Sequence, residues 1–281
     1  MIRTLVTASV AAVAGYAATR GVIAARDRLG FSDRLDRTNH AGETVSLIEG
    51  PAAAAGATTV AIFADPLPHR LAATLATTAA GVLGAVDDFA ESGSEKGLRG
   101  HLSALARGEV TTGGLKILGI SASSVVAALI GRDADELFGS QIAGSLADAV
   151  LAGGVIAGTA NLINLLDLRP ARALKASATL AGIGLLTGRG AALVLTGGSL
   201  GVVAAAFADD AAGLTMLGDT GANALGSLLG TAAALDASRT ELALSLALLA
   251  GLTLTSEKVS FTEVIESTPG LRELDAWARV H

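Results

Sequence analysis

LAATLATTAAGVLGAVDDFAE, residues 71–91, runs sixteen residues without a charge and then sets Asp87, Asp88 and Glu91 in quick succession. An uncharged run of that length, built from Ala, Leu, Val, Thr and Gly, suits lipid better than a water-soluble core. The pattern recurs along the whole chain. Uncharged or nearly uncharged segments cover about 4–25, 50–64, 71–86, 114–130, 142–160, 173–187, 190–207, 221–235 and 240–255. The predicted fold is all-α, a polytopic transmembrane helix bundle of about nine spans over residues 1–255, with 256–281 as an amphipathic tail. Several segments fall short of the ~20 residues that an untilted span prefers, so their ends must draw on flanking sequence.

Composition supports a lipid solvent. Of 281 residues, 51% are hydrophobic and 16% charged, against about 25% charged in an ordinary soluble domain. The absence of cysteine removes disulfides, thiolate catalysis and Cys-based metal sites. A net charge of −6, with no basic patch interleaved with aromatics, argues against a nucleic-acid partner.

Orientation follows from the basic residues. With alternate connections assigned to two sides, only Arg3, Arg70, Arg132, Arg189 and Arg239 of the 20 Lys and Arg fall on one of them. Cytoplasmic loops carry the excess of positive charge, so this reading puts the N-terminus outside and the C-terminus in the cytoplasm. Nearly every residue capable of chemistry then lies in the longer, cytoplasmic connections. The middles of the spans are bare, unlike a transporter, which buries ionisable groups at mid-membrane.

Four of these connections carry the candidate chemistry. On a continuing helix Asp87 and Glu91 share a face with Asp88 beside them, and like charges this close need a cation or a proton between them. EKGLRGHLSALARGEVTTGGLK, 95–116, supplies Lys96, Arg99, His101 and Lys116, cations that suit a phosphate-rich ligand. NLINLLDLRPAR, 161–172, spaces Asn161, Asn164 and Asp167 by three, near one helical face. Such a set reads a base or sugar, or else caps a turn before Pro170. In MLGDTGANALG, 216–226, short residues surround Asp219 at the start of a span, where a helix N-terminus favours anions. The plainer reading of that stretch is an N-cap.

Taken in order, GAVDDFAE, KGLRGH, NLINLLD and MLGDTGANALG resemble the polyprenyl-phosphate N-acetylhexosamine-1-phosphate transferases over roughly residues 30–255. This is the group of membrane enzymes that includes phospho-N-acetylmuramoyl-pentapeptide transferase. The resemblance implies transfer of a sugar 1-phosphate from a UDP-sugar to polyprenyl phosphate, giving a diphosphate-linked lipid and UMP, in cell-envelope glycan synthesis. It implies Mg²⁺, with Mn²⁺ as a substitute, and a homodimer in the bacterial plasma membrane. Residue by residue, it makes Asp87, Asp88 and Asp219 catalytic, with Asp87 as base and Asp219 and Asp88 on the metal. It makes Lys96, Asn161, Asn164 and Asp167 substrate-binding, and the cations Lys116 and His101 read above join that set.

The chain also departs from the family. Its usual Asp-Gly-x-Asp-Gly continuation is here Asp167-Leu-Arg-Pro-Ala-Arg, and Met216 stands where an aromatic residue often precedes the Gly-Asp motif. The four histidines, His40, His69, His101 and His281, leave no His-rich last loop. These changes fall on the sugar and nucleotide side. They point to a sugar nucleotide other than the peptidoglycan precursor, or to a catalytically inactive relative that binds polyprenyl lipid or partner proteins. In the tail, Leu271, Leu274 and Trp277 form a stripe that suits one amphipathic helix on the bilayer. In the first loop, Asn39, His40 and Glu43 read as solvated loop or as an edge of the nucleotide pocket.

Overall fold

A computed structural model describes residues 1–29, 35–38, 42, 44–90, 100, 103, 107–108, 111–131 and 142–279. Among them the chain is mostly helical. In order, the elements are α1 (Ile2–Ala24), α2 (Arg26–Leu29), β1 (Asp36–Thr38), β2 (Thr44–Ser46), α3 (Glu49–Ala61), α4 (Leu67–Ala90) and α5 (Thr112–Gly131). They continue with α6 (Ile142–Leu166), α7 (Arg172–Thr187), α8 (Gly190–Ala211), α9 (Gly218–Leu235), α10 (Arg239–Ser256), α11 (Phe261–Ser267) and α12 (Leu271–Ala276). Each apolar segment read from the sequence falls on one of the long helices. Ala and Leu are strong helix formers, and a helix satisfies its own backbone groups where no water can.

Four of these helices are long and apolar enough to cross a membrane: α1, α5, α6 over Ser145–Leu166, and α8. A fifth candidate is α10 with α11, bent by 94° at the break between them. The chain is therefore a membrane protein. The other long helices differ in reach: α3, with 13 residues, extends only about 20 Å, short of the ~30 Å hydrocarbon core.

The short elements are protected by packing. Helix α9 is the hub, set against α3, α4, α6 and α8, and it is buried from Gly221 to Ala232. Its small residues allow this. A Cβ on Gly226 would stand 2.6 Å from the Ala160 Cα of α6, so only glycine lets the two helices touch there. Around the hub, α1 packs on α8 and α3, α5 on α4 and α6, and α10 against α6 at the edge. Large exposed side chains such as Leu5, Val13, Leu244 and Leu248 line the outside of α1 and α10, as lipid-facing helices require.

Two features differ from the sequence reading. The first connection forms a hairpin, with Asp36 opposite Ser46, and β2 is tied to the chain before α9: Ser46 N–H donates to Leu214 O (3.1 Å) and Met216 N–H to Ser46 O (3.0 Å). Its candidates Asn39, His40 and Glu43 lie outside the described residues. The tail is two short helices rather than one, because Pro269 and Gly270, at φ +86°, separate α11 from α12. Leu271, Leu274 and Trp277 are exposed, as an interfacial stripe would be, while Asp275 on the same helix is buried.

Candidate active site

The end of α4, the start of α5, the chain after α6 and the start of α9 meet at one end of the bundle. Lys116, one turn into α5, lies with its Nζ 2.5 Å from Asp87 Oδ2 and 2.5 Å from Asp219 Oδ2. The three side chains come from positions far apart in sequence, and they keep 15%, 11% and 23% of their surface exposed. They are enclosed but reachable. Helix approach makes this possible, since a Cβ on Gly84 would fall 2.3 Å from the Asp219 carbonyl oxygen.

The Asp87 and Asp219 carboxyls lie side by side, each bonded to Lys116. Asp87 closes one apolar stretch and Asp219 opens another. Burial pushes Asp219 up to about 7, and the bond to Asp87 adds to the rise. Burial alone would raise Asp87 as well, but the bonds from Asp219, Lys116 and Thr112 hold it down at about 2. The two carboxyls therefore titrate as a unit.

Asp88 has a different task. Its Oδ1 accepts from Asp219 N–H (3.0 Å), and its Oδ2 from Thr220 N–H (2.8 Å) and the Thr220 hydroxyl (2.5 Å). It is the N-cap of α9, supplied from another helix, and the positive end of that helix's dipole faces it. Gly218, at φ +57°, makes the turn that aims these donors, and its position close to Asp88 leaves little room for a side chain. The cap on α9 belongs to Asp88, where the plain sequence reading gave it to Asp219.

Asp167 joins from the chain after α6. It lies in the field of Asp219 and Asp88, and its Oδ2 is buried with no hydrogen-bond partner among the described residues. Burial, then the charge of Asp210, pushes its carboxyl well above the ordinary carboxylate range. Asn161 turns elsewhere: its amide donates to the Thr253 hydroxyl of α10 at 3.0 Å. Asn164 is half-buried and has no side-chain hydrogen bond among the described residues. Lys96, His101, Glu91 and Arg99 lie outside the described residues.

A second carboxyl pair was not singled out from the sequence. Glu49, at the start of α3, is fully buried, and Asp210, near the end of α8, is 2% exposed. Their carboxyls lie close together where α3 packs against α8. Glu49 Oε2 accepts from the Thr215 hydroxyl (2.5 Å) and Asp210 Oδ1 from Ala171 N–H (3.1 Å). Glu49 Oε1 and Asp210 Oδ2 have no hydrogen-bond partner among the described residues. The signal in the sequence was the one read at Asp87: acids placed directly at the ends of the apolar segments 50–64 and 190–207.

The tail docks at the same end. Arg172 grips Asp275 with two bonds, Nε to Oδ1 at 2.7 Å and NH2 to Oδ2 at 2.8 Å. Arg279 pairs with the same carboxylate. Trp277 lies 6.0 Å from both the Phe207 ring and Lys175 Nζ. The side chains also suit the expected Mg²⁺, which takes one or two carboxylates plus substrate phosphates rather than a full protein cage. Asp219 and Asp87 fit that donor set better than Asp88, whose two oxygens are engaged by α9. Compared with protein-family models and with curated proteins, the chain matches none.

Proposed function

We propose that this chain transfers a sugar 1-phosphate from a UDP-sugar, of the N-acetylhexosamine type, to polyprenyl phosphate at the cytoplasmic face of a nine-span membrane bundle. One observation carries the reading: Asp87, Lys116 and Asp219 meet in an enclosed, reachable cluster at one end of apolar helices. Carboxylates beside a lysine at that depth suit a lipid phosphate meeting a diphosphate.

In this reading an oxygen of the lipid phosphate attacks the β-phosphorus of the UDP-sugar. The bond from that phosphorus to the bridging oxygen breaks, and UMP leaves with the electron pair. Asp87 takes the lipid phosphate's proton as the base. Lys116 offsets the negative charge that collects between the two phosphates and the carboxylates. Asp88 and Gly218 fix the start of α9. Asp219, with Asp87 beside it, would hold Mg²⁺, which when bound would supply the positive charge that polarises the diphosphate.

The test is product identity. The purified chain in lipid nanodiscs, given Mg²⁺, polyprenyl phosphate and a panel of UDP-sugars, should yield a polyprenyl diphosphate sugar detectable by mass spectrometry. The product should need both substrates and should be lost in Asp219→Asn. A polyprenyl lipid that binds but stays unmodified across the panel would assign the chain to lipid binding without transfer.

A further inference from the structure

At the end of the bundle opposite the carboxylates, a cavity of about 500 Å³ opens between the first turns of α1 and α8 and the turn from α3 to α4. Its volume is in the range of small-molecule sites. One wall is apolar, formed by Ile62, Phe63, Ala191 and Val194. The other carries Arg3, Arg70, Asp65 and the Thr4 and Thr7 side chains. Two cations therefore face one carboxylate.

The two arginines are not equivalent. Arg70 Nε donates to Ala64 O at 3.0 Å, and its NH2 lies 3.6 Å from Asp65 Oδ1. Arg3 has no side-chain hydrogen bond or ion pair among the described residues. A guanidinium presents a fork of donors that matches a phosphate. The apolar wall continues onto exposed surface, with Ile62 53% and Val6 57% exposed, at the end of two helices apolar enough to cross a membrane. A free phosphate would leave that wall unused. A ligand with an anionic head and an apolar stem uses both halves.

We propose that this cavity binds an anionic membrane lipid, its phosphate against Arg3 and Arg70 and the start of its chains along Ile62 and Phe63. The site is separate from the carboxylate cluster and does not depend on the reaction proposed there.

The test is native mass spectrometry of the full chain in detergent with equimolar phosphatidylglycerol and phosphatidylcholine. Phosphatidylglycerol should be retained preferentially, and Arg3→Gln should lower the retained fraction about fivefold, the worth of one cation at a lipid surface. Arg3 is exposed and unpaired, so the variant should fold as the parent does, with unchanged circular dichroism. Arg189→Gln, at the same end but outside the cavity, should leave retention unchanged. Inorganic phosphate at millimolar concentration should not displace the lipid. Equal retention of the two lipids, an equal loss in Arg189→Gln, or displacement by inorganic phosphate would each overturn the assignment.

Discussion

Two carboxyl pairs lie at the same end of the bundle, and the protein treats them in opposite ways. Asp87 and Asp219 face a lysine and keep some contact with solvent. Glu49 and Asp210 are sealed, with one hydroxyl and one backbone N–H as outside donors and no lysine or arginine in ion-pair contact among the described residues. In the first pair both carboxyls bond to the same lysine; in the second neither does, and the two acids sit where α3 packs against α8. A carboxyl pair acquires its role from its partner cation and its access to water, and the side-chain type alone does not decide it.

The contrast breaks most sharply at Lys116. Lys116→Met leaves two carboxylates without their cation, and lipid-dependent UMP release should fall at least about 100-fold. Glu49→Gln, which sets an amide donor beside Asp210 at nearly the same volume, should hold the rate within about threefold. Glu49→Ala is a different experiment on the same pair. It leaves a cavity and strands the Thr215 hydroxyl, so stability should fall by about 3 kcal/mol, read as a lowered melting temperature in detergent.

The tail offers a third, milder contrast, a carboxylate held by two arginines. Asp275→Asn should weaken docking by about 2 kcal/mol, the scale of hydrogen bonds to a charged group. Trp277, the only tryptophan, reports this through its fluorescence. Burial would raise the Asp275 carboxyl, but the bonds and charge of Arg172 and then Arg279 hold it below the usual range. A lowered carboxyl stabilises docking above its free value of about 3.9 and loses that contribution as pH falls through the lower folded value. The Trp277 signal should therefore shift on acidification below about pH 4, and in Asp275→Asn that acid-dependent change should disappear. The smallest effect belongs to the cap. Thr220→Val removes one of Asp88's three bonds and should cost about 1 kcal/mol, with Asp88→Ala costing more.

Much of this was legible in the sequence. The apolar runs fell on helices because uncharged Ala- and Leu-rich segments have one stable backbone arrangement in lipid. Asp87, Lys116, Asp167 and Asp219 were readable because acids and a lysine at the ends of such runs must face something. What spacing could not give was the partner of each group. Asp88 and Asp87 are neighbours on one helix, yet one caps α9 and the other meets Lys116, a division set by where α9 begins. Asn161 and Asn164 share a spacing, yet Asn161 is taken by Thr253 on α10. Glu49 and Asp210 lie 161 positions apart, and only the packing of α3 against α8 joins them. The broken tail was readable in Pro269-Gly270, a pair that interrupts helices.

The most direct test sets one member of each pair side by side. Initial rates of lipid-dependent UMP release would be measured for Asp87→Asn and Glu49→Gln in nanodiscs, with the folded fraction of each matched to the parent. The account predicts a loss of at least about 100-fold in the first and a rate within about threefold of the parent in the second. Equal losses in both, or a fully active Asp87→Asn, would contradict it.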